Sequence, residues 1–191
     1  MKYTREQYEA FYYLNKLLPY LNTFDDCDWK FNRINRMKDR GLLVPLPKEE
    51  NEKEPKKNLY PQIVDALSKY GAAYAKLTQT PQQKNIAYLV RVLHLTSKEE
   101  MIIHFLSAAR NNDLLRECLH HFNHDIMEKE DALTAVAGLP CGTGPTLLKE
   151  NAPLKRLGIV EELRYNSGCR LTGWAREFIN SVHKDDEARY K

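Results

Sequence analysis

Ala152-Pro153-Leu154-Lys155-Arg156-Leu157-Gly158-Ile159-Val160-Glu161-Glu162-Leu163-Arg164-Tyr165-Asn166-Ser167-Gly168-Cys169-Arg170-Leu171-Thr172-Gly173-Trp174 is the stretch whose reading decides the fold class. Gly158 ends a helical run carrying Leu147, Leu148, Leu154 and Leu157, and Pro153 breaks that run because its ring removes a backbone donor. Ile159, Val160 and Leu163 then read as a strand, Tyr165-Asn166-Ser167-Gly168 as a turn, and Cys169-Arg170-Leu171-Thr172 as the returning strand. A closing helix carries Trp174, Phe178, Ile179 and Val182. Upstream, Asp125 and Glu128 cap a helix through Leu133, Val136 and Ala137 that stops at Gly138-Leu139-Pro140, and the turn Gly142-Thr143-Gly144-Pro145 leads into the second helix. Helix, turn, helix, hairpin, helix is the element order of a winged helix-turn-helix.

The sequence ahead of this unit is helical. Thr4 and Gln7 form a capping box, each side chain satisfying the other's backbone N–H, with Tyr8, Phe11, Leu14, Leu18 and Leu21 following at helical spacing. Pro19 is expected to kink or shorten that helix. After Asp25-Asp26-Cys27-Asp28, a second run sets Trp29, Phe31, Ile34 and Met37 among basic residues, and Gly41 stops it. Residues 43–61 hold Pro45, Pro47, Pro55 and Pro61 around Lys48-Glu49-Glu50-Asn51-Glu52-Lys53-Glu54 with almost nothing to bury. Ile63, Val64, Leu67, Tyr70 and Tyr74 mark the next helix, and Pro81 starts another with Ile86, Leu89, Val90 and Leu93. Thr96 caps a third, with Glu99 in the reciprocal position and Met101, Ile102, Phe105 and Leu106 facing inward, and Asp113 begins a short one through Leu114, Leu115, Cys118 and Leu119. The expected protein is mainly α, a multi-helix domain with a C-terminal winged helix-turn-helix and one short β-hairpin. Its divisions are a loosely tethered helical hairpin over 1–42, a charged Pro-rich linker or loop over 43–61, a helical region over 62–124, a winged-helix-like unit over 125–183 and a tail over 184–191.

Composition bounds the alternatives. With 191 residues, 42% hydrophobic and 29% charged, and a net charge of only +3, the chain is neither a disordered polyelectrolyte nor a membrane protein nor a disulfide scaffold. No run reaches the roughly 18 apolar residues of a membrane span. Met1-Lys2-Tyr3-Thr4-Arg5-Glu6 lacks the apolar core of a signal peptide, so a cytoplasmic protein without a membrane partner is expected. Cys27, Cys118, Cys141 and Cys169 include no CxxC pair and read as reduced thiols.

Motifs that would carry catalysis fail on chemistry. The segment from Gly138 to Leu148 resembles a phosphate-binding loop, but Pro145 stands where the phosphate-binding Lys must be, Gly138 and Gly144 enclose five residues instead of four, and the preceding run is helical. His120 and His124 have the i, i+4 spacing of a metal pair, beside His121, yet no third ligand is evident; His94, His104 and His183 stand alone. Gly-x-Ser-x-Gly is absent, Ser167 sits in the hairpin turn, and Glu49-Glu50, Glu99-Glu100 and Glu161-Glu162 read as solvated faces or caps. No enzyme active site, metal or cofactor is expected, although an enzyme or metal protein with an unrecognised site is kept as a third reading.

A winged helix binds DNA by setting the N-terminal turn of its second helix in the major groove. Here that turn presents Thr143 and Thr146, with Lys149 one turn on; Arg164 and Arg170 flank the hairpin tip, and Lys155 and Arg156 add phosphate contacts. Residues 141–182 hold six Lys or Arg against four Asp or Glu, an excess of only two, so a protein partner and duplex DNA both stay open.

Leu95-Thr96-Ser97-Lys98-Glu99-Glu100, Ala132-Leu133-Thr134-Ala135-Val136-Ala137-Gly138-Leu139, Ala152-Pro153-Leu154-Lys155-Arg156-Leu157-Gly158-Ile159-Val160 and the hairpin together resemble the region ahead of the ATPase module in some bacterial AAA+ family ATPases. The resemblance spans residues 89–182 and departs from the family pattern at Cys141-Gly142-Thr143-Gly144-Pro145. It implies a non-catalytic recognition or regulatory N-terminal domain, with an ATPase module expected in a longer parent chain and no catalytic residue carried over. A free-standing winged-helix DNA-binding regulator is the alternative.

Overall fold

The computed structural model describes residues 3–21, 59–122, 130–140, 148–163 and 168–183. The expected helix around Trp29 to Met37, most of the charged linker, the caps Asp125 and Glu128, the Gly-rich turn, the hairpin tip and the tail lie outside these residues. Within them run α1 (Arg5–Leu21), α2 (Leu59–Tyr74), α3 (Pro81–Val92), α4 (Ser97–Asn111), α5 (Asp113–Phe122), α6 (Glu130–Val136), α7 (Pro153–Arg156), β1 (Val160–Glu162), β2 (Cys169–Leu171) and α8 (Gly173–Asn180). The described protein is mainly helical with one small antiparallel hairpin.

The helix starts follow from side-chain chemistry. Thr4 and Gln7 close the expected box, Thr4 N donating to Gln7 Oε1 at 2.8 Å and Gln7 N to Thr4 Oγ1 at 3.3 Å. Tyr3 and Tyr8 flank it as a hydrophobic staple with ring centroids 5.6 Å apart. The Thr96–Glu99 box opens α4. At α3 the cap is Thr80, whose hydroxyl accepts from Gln83 N ahead of Pro81. α1 runs on through Pro19 to Leu21, the proline falling in its last turn, and α2 begins at Leu59, placing Pro61 in a first turn that needs no donor from it.

One apolar cluster joins the described elements. α1 contributes Ala10, Phe11, Tyr13, Leu14 and Leu17; α4 contributes Ile102, Ile103, Phe105 and Leu106; Leu154, Ile159, Leu171, Ala175 and Ile179 extend it toward the C-terminal unit, and Leu67, Ile86, Leu115 and Leu133 bring in α2, α3, α5 and α6. α1 lies along α2 and also meets α5 and α6. The approach of α1 to α2 requires Gly71, because a Cβ there would stand 3.1 Å from Tyr12 Cα. α4 packs against α3, α5, α6 and β2, and α8 lies on α3. Asn85, buried on α3, fixes that last contact by donating its amide to Phe178 O, Ile179 O and Ser181 O at 3.2, 3.0 and 2.9 Å.

The second helix of the expected helix-turn-helix is shorter than its sequence pattern suggests. Residues 148–152 are turns and bends, and among the described residues of this segment only Pro153–Arg156 are helical. Pro153 sits at the start of that turn, where a missing N–H costs nothing, and Leu154 is its buried anchor. Gly158, at φ +65°, ends it in a Schellman motif, with Gly158 N donating to Lys155 O and Ile159 N to Leu154 O, both at 2.9 Å.

Candidate nucleic-acid interface

The hairpin is held by its base. Gly158 O accepts from Thr172 Oγ1 and from Trp174 Nε1, each at 2.7 Å, and Thr172 N donates to Ile159 O at 3.0 Å. Strand register then sets Val160 opposite Leu171, Glu161 opposite Arg170 and Glu162 opposite Cys169. Cys169 and Leu171 are buried and Arg170 between them is exposed, the alternation of a strand with one face on the core.

This register decides the fate of several expected contact residues. Arg170 Nε lies 2.7 Å from Glu161 Oε1, and Lys155 Nζ lies 3.1 Å from Glu162 Oε2, so both cations have carboxylate partners. Lys149 and Arg156 are exposed, with no ion pair among the described residues. Thr143, Thr146 and Arg164 lie outside the described residues.

A second group of cations gathers behind the hairpin. Arg110 from the end of α4, Arg116 from α5, Arg170 from β2 and Arg176 from α8 line a hollow of about 150 Å³ with Leu106, Ala109 and Leu171. Arg116 Nη1 donates to Arg110 O at 3.0 Å, and its Nη2 is paired with Asp113. Arg176 Nε donates to Thr172 O at 3.3 Å. The Arg110 side chain has no hydrogen-bond or ion-pair partner among the described residues. Among the described residues, the carboxylates paired with these four guanidiniums are Asp113 and Glu161, a formal excess of two positive charges within that set. Sequence reading singled out Arg170 alone. The other three sit on separate elements, with no local spacing to join them.

A larger hollow of about 220 Å³ lies where α1 meets α3 and the α4–α5 corner, and its lining includes Arg5, Glu9, Gln83, His104 and Asn112. Its polar groups largely satisfy one another. Arg5 donates to Thr78 O at 2.7 Å and Gln83 Oε1 at 2.8 Å, Asn112 to Glu9 Oε2 at 2.9 Å, and Tyr74 OH to Glu9 Oε1 at 2.6 Å. Burial, then the neighbouring Glu9 carboxylate, raises the Tyr74 phenol well above its usual range. On α4, His104 stands 3.6 Å from Glu100 and holds that carboxyl below the usual range, against the opposing effect of burial. This is a structural network tying α1 to the turns around it.

The histidine pair reading falls outside the described side chains. Among the described residues, no three His, Cys, Asp or Glu are grouped to hold a metal ion. Cys118 and Cys169 are buried thiols outside any disulfide. No described helix is long and apolar enough to cross a membrane. No protein-family model, curated protein or solved structure matches the chain.

Proposed function

We propose that this protein is a non-catalytic recognition module that contacts duplex DNA from the side carrying the β1–β2 hairpin. The supporting observation is the convergence of Arg110, Arg116, Arg170 and Arg176 on one hollow. Guanidiniums lining one hollow concentrate positive charge there, and a phosphate backbone neutralises it while accepting paired N–H donors. The order α6, α7, hairpin, α8 is in keeping with a winged helix in which the wing and the helices behind it meet the backbone. Lys149 and Arg156 add cations not committed to an ion pair among the described residues. The resemblance to the region ahead of an AAA+ core suggests the same class of role, recognition on behalf of an ATPase module.

A protein partner is the second reading. Trp174 favours it, since 44% of this residue is exposed on α8 while its Nε1 is fixed on Gly158 O. Fluorescence anisotropy of labelled duplex DNA over a salt series separates the two. The DNA reading expects log K to fall linearly with log salt, by about 0.9 for each phosphate neutralised. Absent or salt-independent binding removes that reading.

A further inference from the structure

We infer that the hollow behind the hairpin is a seat for one phosphate group, and that filling it joins the α4–α5 corner to β2 and α8. The inference rests on the DNA reading and names the group that the contact takes. At about 150 Å³ the hollow is about half the lower bound of a drug-sized pocket, so it accommodates a single group and not a whole nucleotide. Its floor is apolar, from Leu106, Ala109 and Leu171, and its polar rim is four guanidiniums with no carboxylate among the lining residues. An apolar floor lowers the local dielectric and strengthens each charge interaction made above it.

The unused donors point to a tetrahedral anion. Glu161 takes Arg170 through Nε and Thr172 O takes Arg176 through Nε, which leaves the terminal nitrogens of both guanidiniums available. Arg116 is already oriented by Arg110 O and Asp113, and no described residue takes the side-chain donors of Arg110. A planar carboxylate is matched by one guanidinium fork, whereas phosphate oxygens accept from several directions at once and match donors arriving from four elements. Arg110 and Arg116 belong to the α4–α5 corner, and Arg170 and Arg176 to the hairpin and the helix after it. The bound group therefore attracts cations on both sides of that boundary.

The test is isothermal titration calorimetry of the full chain with inorganic phosphate, ionic strength held constant with chloride, followed by competition against labelled duplex DNA. Arg110→Gln and Arg176→Gln remove rim charges, and Lys98→Gln removes an exposed cation at the opposite end of α4. Urea midpoints establish that each variant is folded. The inference expects a single saturable phosphate site, weakened about tenfold or more by either arginine change and unaffected by Lys98→Gln. It also expects phosphate to displace DNA beyond the effect of chloride. Absence of saturable phosphate binding, or equal weakening by Lys98→Gln, overturns it. If phosphate binds at the seat and DNA does not bind, the DNA reading fails and the seat stands. If DNA binds while phosphate does not compete and Arg110→Gln is silent, the seat fails and the DNA reading stands.

Discussion

Asn85→Asp changes one atom group in the contact between α3 and α8, and its cost is calculable. Asn85 is 1% exposed, and its amide donates to three carbonyls at the end of α8, at 3.2, 3.0 and 2.9 Å. Phe178 O also accepts from Ser181 N at 3.3 Å, whereas carbonyls past the last helical turn have no intrahelical donor and look to outside partners such as this amide. Asn85→Ala forfeits the donors, at about 0.5–1.5 kcal/mol for each net hydrogen bond, or roughly 1–3 kcal/mol for the amide. Asn85→Asp keeps the shape but turns donors into a buried acceptor facing acceptors, an uncompensated charge costing about 3–5 kcal/mol. For a chain of this size that lowers Tm by roughly 6–20 °C. The introduced acid would have a folded pKa raised above its unfolded value near about 3.9, so the charge penalty grows as pH rises from one to the other and fades below both. Urea denaturation followed by circular dichroism at pH 7 and pH 4 measures both effects. The reasoning is refuted if Asn85→Asp is as stable as the parent at pH 7, or costs less than Asn85→Ala.

His94 adopts φ +53° at the end of α3, where Leu95 N donates to Val90 O, so His94→Gly should raise stability by about 0.5–1 kcal/mol in thermal melts, relief of left-handed strain outweighing the glycine's extra chain entropy. Gly71→Ala should destabilise by roughly 1–3 kcal/mol in the same assay, because the new methyl meets Tyr12 Cα at 3.1 Å. Tyr74 has a raised folded pKa, so its contribution to stability is present below the ordinary phenol value of about 10 and is lost as pH rises through the folded value; Tyr74→Phe should flatten the alkaline limb of a stability–pH curve. Glu100 has a lowered folded pKa, so its contribution is present above the ordinary carboxylate range and is lost as pH falls through the folded value; in His104→Gln the Glu100 carboxyl should titrate at higher pH by NMR.

Local chemistry was legible in the sequence wherever one segment supplies both partners. The Thr4–Gln7 and Thr96–Glu99 boxes, the start of α3 at Pro81, the stop at Gly158 and the strands either side of the turn at Tyr165-Asn166-Ser167-Gly168 are all local, and the structure has each of these starts, stops and strands. Leucine spacing from Leu147 to Leu157 suggested a longer helix than the one-turn α7, because apolar periodicity does not distinguish a helix from turns that bury leucines such as Leu148 and Leu154. Cross-strand pairing was hidden as well. Arg170 and Lys155 read as free cations until the register placed Glu161 beside Arg170 and the packing of α7 on β1 placed Glu162 beside Lys155. The arginine hollow depends on four elements whose packing no spacing rule encodes.

The most direct measurement of the central claim is the salt dependence of duplex DNA binding by the parent chain and by Arg110→Gln. The account predicts a linear fall of log K with log salt, with the slope shallower by about one for the variant, since one phosphate contact is lost. Binding that is absent would contradict the DNA reading, and a slope identical in the two proteins would contradict the part given to the arginine hollow.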